Sequence, residues 1–163
     1  MVWYGMWNTP TIFPSGRIVS LEVWKVVRTD SIQLRTEGNA DTLDITRQVA
    51  EAVRKSGLRS GIVTVFTPGS TCGLTTIEYE PGTVADLKRL FDEVAPQNRD
   101  YEHHKRWGDY NGHSHVRSAL LGCSLTVPFV EGRLTLGTWQ QIVFIDFDTH
   151  PRHRELVVQV LGE

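Results

Sequence analysis

From Ser124 to Leu161 the sequence holds three strand-like segments with no helical period between them. Residues 124–129 come first, a turn follows at Glu131-Gly132, and residues 133–148 and 155–161 complete the run. Strands joined by short turns pair antiparallel, because a parallel pair needs a crossover, usually a helix, between its members. The C-terminal part of the chain therefore cannot be a regular βαβ repeat. Upstream, residues 18–26 mostly alternate apolar and polar, and residues 31–36 form a second short candidate strand. Residues 61–66 are an apolar, β-branched run suited to a buried strand, broken by Pro68-Gly69, and residues 74–79 read as the next strand. Two main helices are expected. One, over residues 44–56, places Ile45, Val49, Ala52 and Val53 on one face and stops at Gly57. The other starts from a capping-box spacing, Thr83 to Asp86, carries Val84, Leu87, Leu90, Phe91 and Val94, and ends at Pro96. Residues 97–112 show no clear period and predict a long loop, after which a short helix spans residues 114–121. The order β-β-α-β-β-α-α-β-β-β predicts an α+β fold: one domain, a largely antiparallel β-sheet or sandwich, two main helices and one short one.

A chain of 163 residues favours a single domain. We divide it into an N-terminal aromatic arm, residues 1–15, and a domain over residues 16–163. The arm carries Trp3, Tyr4, Trp7 and Phe13, rings that need a surface to bury against, either in their own domain or on a neighbouring subunit. It has no basic n-region and no apolar h-region, so it does not read as a signal peptide. A net charge of -2 gives no basic nucleic-acid footprint, and no apolar run reaches membrane-span length. Cys72 and Cys123 lie far apart without CxxC spacing, which argues against a zinc knuckle or a disulfide framework and fits a reducing cytoplasm. A single bond between them stays open.

Four of the six histidines fall in thirteen residues: His103, His104, His113 and His115. In extended chain, residues two apart point to the same side, so His113 and His115 converge if the helix begins at Ser114 or later; within a helix they diverge by about 200°. Neutral imidazoles are common ligands of zinc. His103, His113 and His115 with one open position are a candidate divalent metal site, zinc before magnesium; the alternative is a set of hydrogen-bonded histidines that orders the loop. The start of the short helix is a natural anion site, with Ser114 as its cap. Arg117 near the first turn opposes the helix dipole, which either a bound anion or a partner such as Asp109 or Glu78 would relieve. Glu78, in Thr75-Thr76-Ile77-Glu78, is a candidate general acid or base or a solvated residue. Gly69-Ser70-Thr71-Cys72-Gly73 is small and hydroxyl-rich. Gly137 interrupts a strand beside Thr138, Trp139 and Gln140, which marks either close approach of a ligand or, for Trp139, the core.

Taken together, Tyr101-Glu102-His103, Ser114-His115, the LLGxSxTxP run over residues 120–128 and Leu136-Gly137-Thr138-Trp139-Gln140 resemble the YjbQ-like family. The resemblance runs from about Gly16 to Gly162. That family is often labelled secondary thiamine-phosphate synthase. The resemblance implies a small α+β domain assembling as a homotrimer, with pockets near subunit boundaries and a weak ability to make thiamine phosphate. Carried over, Glu78, His103 and His115 are the catalytic candidates, and Thr138, Trp139 and Gln140 join Ser114 and Arg117 as substrate-binding candidates. Where many members carry His-Thr-Thr or His-Thr-Ser, this chain has Gly69-Ser70-Thr71. The sequence also lacks a P-loop or an acidic cluster suited to Mg2+. Two expectations compete: a cytoplasmic trimeric enzyme acting on a phosphorylated or anionic small heterocycle, and a non-catalytic trimer that binds a metal or small anion.

Overall fold

The computed structural model describes residues 26–163. The N-terminal arm and most of the strand expected over residues 18–26 lie outside the described residues. Two antiparallel sheets form the frame. One has five strands in the order β1-β8-β3-β5-β6, comprising β1 Val26–Thr36, β3 Ser60–Phe66, β5 Ser124–Val130, β6 Arg133–Leu134 and β8 Arg152–Gly162. The other has three, β2-β7-β4, comprising β2 Asp41–Asp44, β4 Cys72–Ile77 and β7 Gln141–Asp146. The α+β class with antiparallel sheets is as the strand pattern requires.

The inward faces of the sheets and helix α1, Thr46–Ser56, enclose the main core, where Val63, Val65, Leu74, Phe129, Phe144, Leu156 and Val158 meet Val49 and Val53. A smaller core lies on the other side of the three-stranded sheet, built from Val143, Ile145, Phe147, Ala40 and Phe91 of helix α2, Pro81–Val94. Strand β7 belongs to both: Ile142 and Phe144 face one, Val143 and Ile145 the other. A strand covered on both faces needs no polar alternation, which is why Ile142-Val143-Phe144-Ile145 is continuously apolar.

Four local expectations are revised. First, α2 begins at Pro81, two residues before the expected cap. Glu80 is the N-cap and its carboxylate accepts from the Gly82 and Thr83 N–H groups, while Asp86 pairs with Arg89 instead. Pro at the first helical position loses nothing, because its N–H would be unpaired there. Second, the 97–112 stretch contains helix α3, Glu102–Trp107, closed by Gly108 at φ 70°, a conformation glycine adopts without strain. Third, the final helix, α4, spans Gly112–Leu121. It starts two residues early because Gly112 lets the backbone pass against Tyr101; a Cβ at 112 would lie 2.5 Å from the Tyr101 Cβ. There are thus four helices among the described residues. Fourth, the expected 133–148 strand is split into β6 and β7. None of the helices described is long and apolar enough to cross a membrane.

Candidate functional site

The early start of α4 decides the histidine cluster. His113 and His115 are both helical and point apart. His113 turns inward and is 1% exposed. Its Nε2 lies 3.3 Å from Ser114 Oγ, whose own proton goes to the Phe147 carbonyl at 2.6 Å. Ser114 therefore accepts from His113, which places the imidazole proton on Nε2 and leaves Nδ1 buried without a partner. Burial, with the neighbouring charges of Arg117 and His104, lowers the His113 pKa from 6.5 to about 4, so the ring is neutral at neutral pH. His103 and His115 face the other way, with ring centroids 4.5 Å apart. The three-histidine zinc shell is therefore not formed: one ligand is in the interior and two are at the surface. Among the described residues no group of three His, Cys, Asp or Glu side chains converges to hold a metal.

His103 and His115 instead line an open depression of about 640 Å³. One wall is the α3–α4 corner, with His103, Trp107, Asp109, Asn111 and His115; the other is the 68–71 loop, with Asp148 from the β7–β8 turn and Arg152, His153 and Arg154 from the start of β8. Asp109 Oδ1 lies 3.4 Å from His103 Nε2. With its amide nitrogen turned inward, Asn111 sits 3.1 Å from the same nitrogen and 3.0 and 3.2 Å from the Asp109 oxygens. Asp109 and Asn111 thus both reach the His103 Nε2 and hold the ring in one orientation.

The floor is a built ionic network. Arg154 forks onto Asp146, Nε to Oδ2 and Nη2 to Oδ1, both at 2.7 Å, and also donates to Thr71 Oγ1 at 2.8 Å. Asp146 is fully buried and accepts from Thr36 Oγ1 as well, at 2.6 Å. The Asp146 hydrogen bond holds the Arg154 pKa above its ordinary value. Arg152 grips Asp148 at 3.0 and 3.3 Å, and Thr71 donates to the same carboxylate at 3.1 Å. Burial pushes the Asp148 pKa up, but the hydrogen bonds from Arg152, Thr71 and the Thr149 N–H outweigh it and the net shift is downward. Arg154 Nη1 has no hydrogen-bond partner among the described residues. It lies beside Gly69, where a Cβ would come within 3.1 Å of it and 2.6 Å of Cys72 Sγ. Gly69, with no side chain, thus keeps this corner of the floor open.

The other expected site residues are elsewhere. Ser114 is spent on Phe147, and Arg117, also buried, donates to the Ala95 carbonyl at 3.0 and 2.8 Å and to Asp92 at 2.7 Å. Arg117 so closes the C-terminal end of α2, and neither residue reaches the depression. Glu78 is exposed just past the end of β4, where Tyr79 N–H donates to Gln141. Thr138, Trp139 and Gln140 are exposed in the turn before β7, at that same end. In the β4–β7 pair, Ile77 faces Gln141 at one end and Cys72 faces Asp146 at the other, five residues away. At about 3.4 Å per residue the ends are about 17 Å apart. Within one chain Glu78 and Trp139 therefore do not share the depression with His115. Cys72 is buried and Cys123 exposed, both as free thiols, so the bond left open between them is not made. Asp146, Asp148, Arg152 and Arg154 were not anticipated; their sequence signal was the Asp-x-Asp followed by Arg-x-Arg across a Pro-containing turn.

Residues 30–163 match the family described as UPF0047 protein YjbQ-like. A UPF0047 protein of Methanothermobacter thermautotrophicus is 37% identical over 86% of this chain and 96% of its own length. The UPF0047 protein YugU of Bacillus subtilis is 35% identical over 81% of this chain and 98% of its own. The fold superposes on a YbjQ-like protein of unknown function from Sulfolobus solfataricus with a TM-score of 0.81, at 33% identity, covering 85% of this chain and 99% of that one.

Proposed function

The chain belongs to the YjbQ-like UPF0047 family, and we propose that it binds and transforms a small phosphorylated or otherwise anionic molecule in the depression. The observation that carries this reading is the spare Nη1 donor of Arg154, a guanidinium already fixed on two sides by Asp146 and Thr71. A donor held rigid before the ligand arrives loses little entropy on binding, and charge-assisted hydrogen bonds are the stronger kind. Arg152 adds a second cation, and Ser70 adds a hydroxyl. Across the depression His103 and His115 are placed to move a proton, and Asp109 and Asn111 orient His103. Formation of thiamine phosphate, with loss of diphosphate, is the first reaction to assay.

Glu78 and the Trp139 turn join this site only if another copy brings them, so the proposal includes a homotrimer. The 70% exposure of Trp139 supports a covered surface there. Light scattering should give three chain masses; a monomer would remove Glu78 from the site. Calorimetric titration with inorganic phosphate and diphosphate tests the site itself. The intact protein should bind at least one of them near neutral pH, and Arg152→Ala should weaken binding about tenfold, the loss of one charged hydrogen bond. Absence of binding would refute the anion reading, and binding indifferent to Arg152→Ala would remove Arg152 from the site. His115→Ala should abolish turnover while leaving anion binding in place; a variant that turns over normally would leave the histidines without a catalytic role, favouring the non-catalytic anion binder.

A further inference from the structure

We propose that Trp107 is a stacking platform that selects, among anionic ligands, those carrying a flat aromatic ring. The proposal rests on the anion reading and deepens it. Trp107 lines the depression yet is 67% exposed. A large ring left open to water at the mouth of a polar cleft is a familiar mark of a binding surface. Its position is fixed by the chain. It is the last residue of α3, and Gly108, in the left-handed conformation, caps that helix through its N–H to the His104 carbonyl. The backbone turns away directly behind the ring. The Arg106 guanidinium lies over the ring, 5.6 Å from its centroid, and supplies a cation–π partner.

The composition of the depression supplies the second argument. Of its lining residues, only Pro68 and Trp107 carry predominantly apolar side chains. The arginines, His153 and Ser70 lie with Pro68 on the β7–β8 and loop side, whereas Trp107 belongs to the α3–α4 wall. A volume of about 640 Å³ exceeds what a bare phosphate fills and falls within the usual size range of small-molecule sites. A ligand that places its anion on the arginine side and extends across the cleft meets an indole. A flat ring gains there from offset or edge-on contact, and an indole prefers it to a saturated ring of the same size.

The test uses three probes on the full chain: inorganic phosphate, phenyl phosphate and cyclohexyl phosphate. The two esters have the same charge and similar bulk and differ in aromaticity. Phenyl phosphate should bind about fivefold or more tighter than cyclohexyl phosphate. Trp107→Leu, which keeps an apolar side chain, should erase that ratio without changing the affinity for inorganic phosphate, and Trp107→Phe should retain most of it. Because Trp107 is exposed at the end of a short helix, these variants should keep the parent's melting temperature, and that is measured alongside. Equal affinity for the two esters in the intact protein, or a ratio that survives Trp107→Leu, overturns the proposal while leaving the anion reading intact. Failure of all three probes to bind overturns both.

Discussion

Replacing His113 by glutamine should remove one component of the acid sensitivity of this fold, the part set by burial of the imidazole. Unfolded, the imidazole takes a proton below its ordinary pKa of 6.5; folded, it does so only near 4. Between these values the unfolded state holds the extra proton. The His113 contribution is therefore intact above about pH 6.5, is lost as pH falls towards about 4, and is constant below that. The whole span is worth roughly 3 kcal/mol, and the part lost between about pH 7 and about pH 5 is roughly 2 kcal/mol. The groups acting on the ring are Arg117 and His104, which oppose protonation, and Asp92 and Asp148, which favour it more weakly. Urea unfolding of the parent and of His113→Gln at both pH values isolates the effect, since other titrating groups are common to both proteins. Glutamine will lower stability at both pH values, but the parent should lose about 2 kcal/mol more than the variant between them. Equal losses, within about 0.5 kcal/mol, would show that His113 is not held neutral by burial.

Arg154→Ala should cost about 3–5 kcal/mol in denaturant unfolding, because it strands Asp146 as a buried charge, whereas Arg152→Ala, half exposed, should cost about 1 kcal/mol or less; similar costs would contradict the network described. Glu80→Ala should destabilise by about 1 kcal/mol through loss of the α2 cap, and Thr83→Ala by much less, since the Thr83 hydroxyl is not the cap; the reverse order in thermal melts would restore the capping box at Thr83.

The strands β3, β4, β5 and β8 and helix α1 were legible because their signals are local, whereas the short β2, Asp41–Asp44, carries no such signal and was not expected. Ile45, Val49, Ala52 and Val53 recur at helical spacing, and all four are buried. The double-faced burial of β7 was already written in its unbroken apolar run. The candidate site was legible only in part. His103 and His115 lie together, but the expected convergence of His113 with His115 fails, because two residues of helix register separate a shared face from opposite faces. That register depends on how closely Gly112 can approach Tyr101, a tertiary contact with no local pattern. Arg117 looked like a ligand-facing cation for the same reason: its partners, Ala95 and Asp92, are more than twenty positions away. The floor was missed because its members looked like ordinary surface charges. Only the β7–β8 turn, which sets Asp146, Asp148, Arg152 and Arg154 over Thr71, turns them into one network.

That network and the facing wall come from different parts of the chain. Nine consecutive residues, 146–154, supply the charged floor, and they are bolted to the core through Thr36 and Thr71. The wall that carries His103, Trp107 and Asp109 comes from a separate segment that adds no hydrophobic residue to the main core. Changes at the exposed positions of residues 102–110 should therefore affect folding less than changes in the floor, while Tyr101, packed on Gly112, is fixed by the register of α4. On the proposed reading, a chain divided in this way keeps one grip on an acidic group and can exchange the chemistry presented opposite it, so that a single scaffold would supply a series of sites differing in what they recognise beyond the anion.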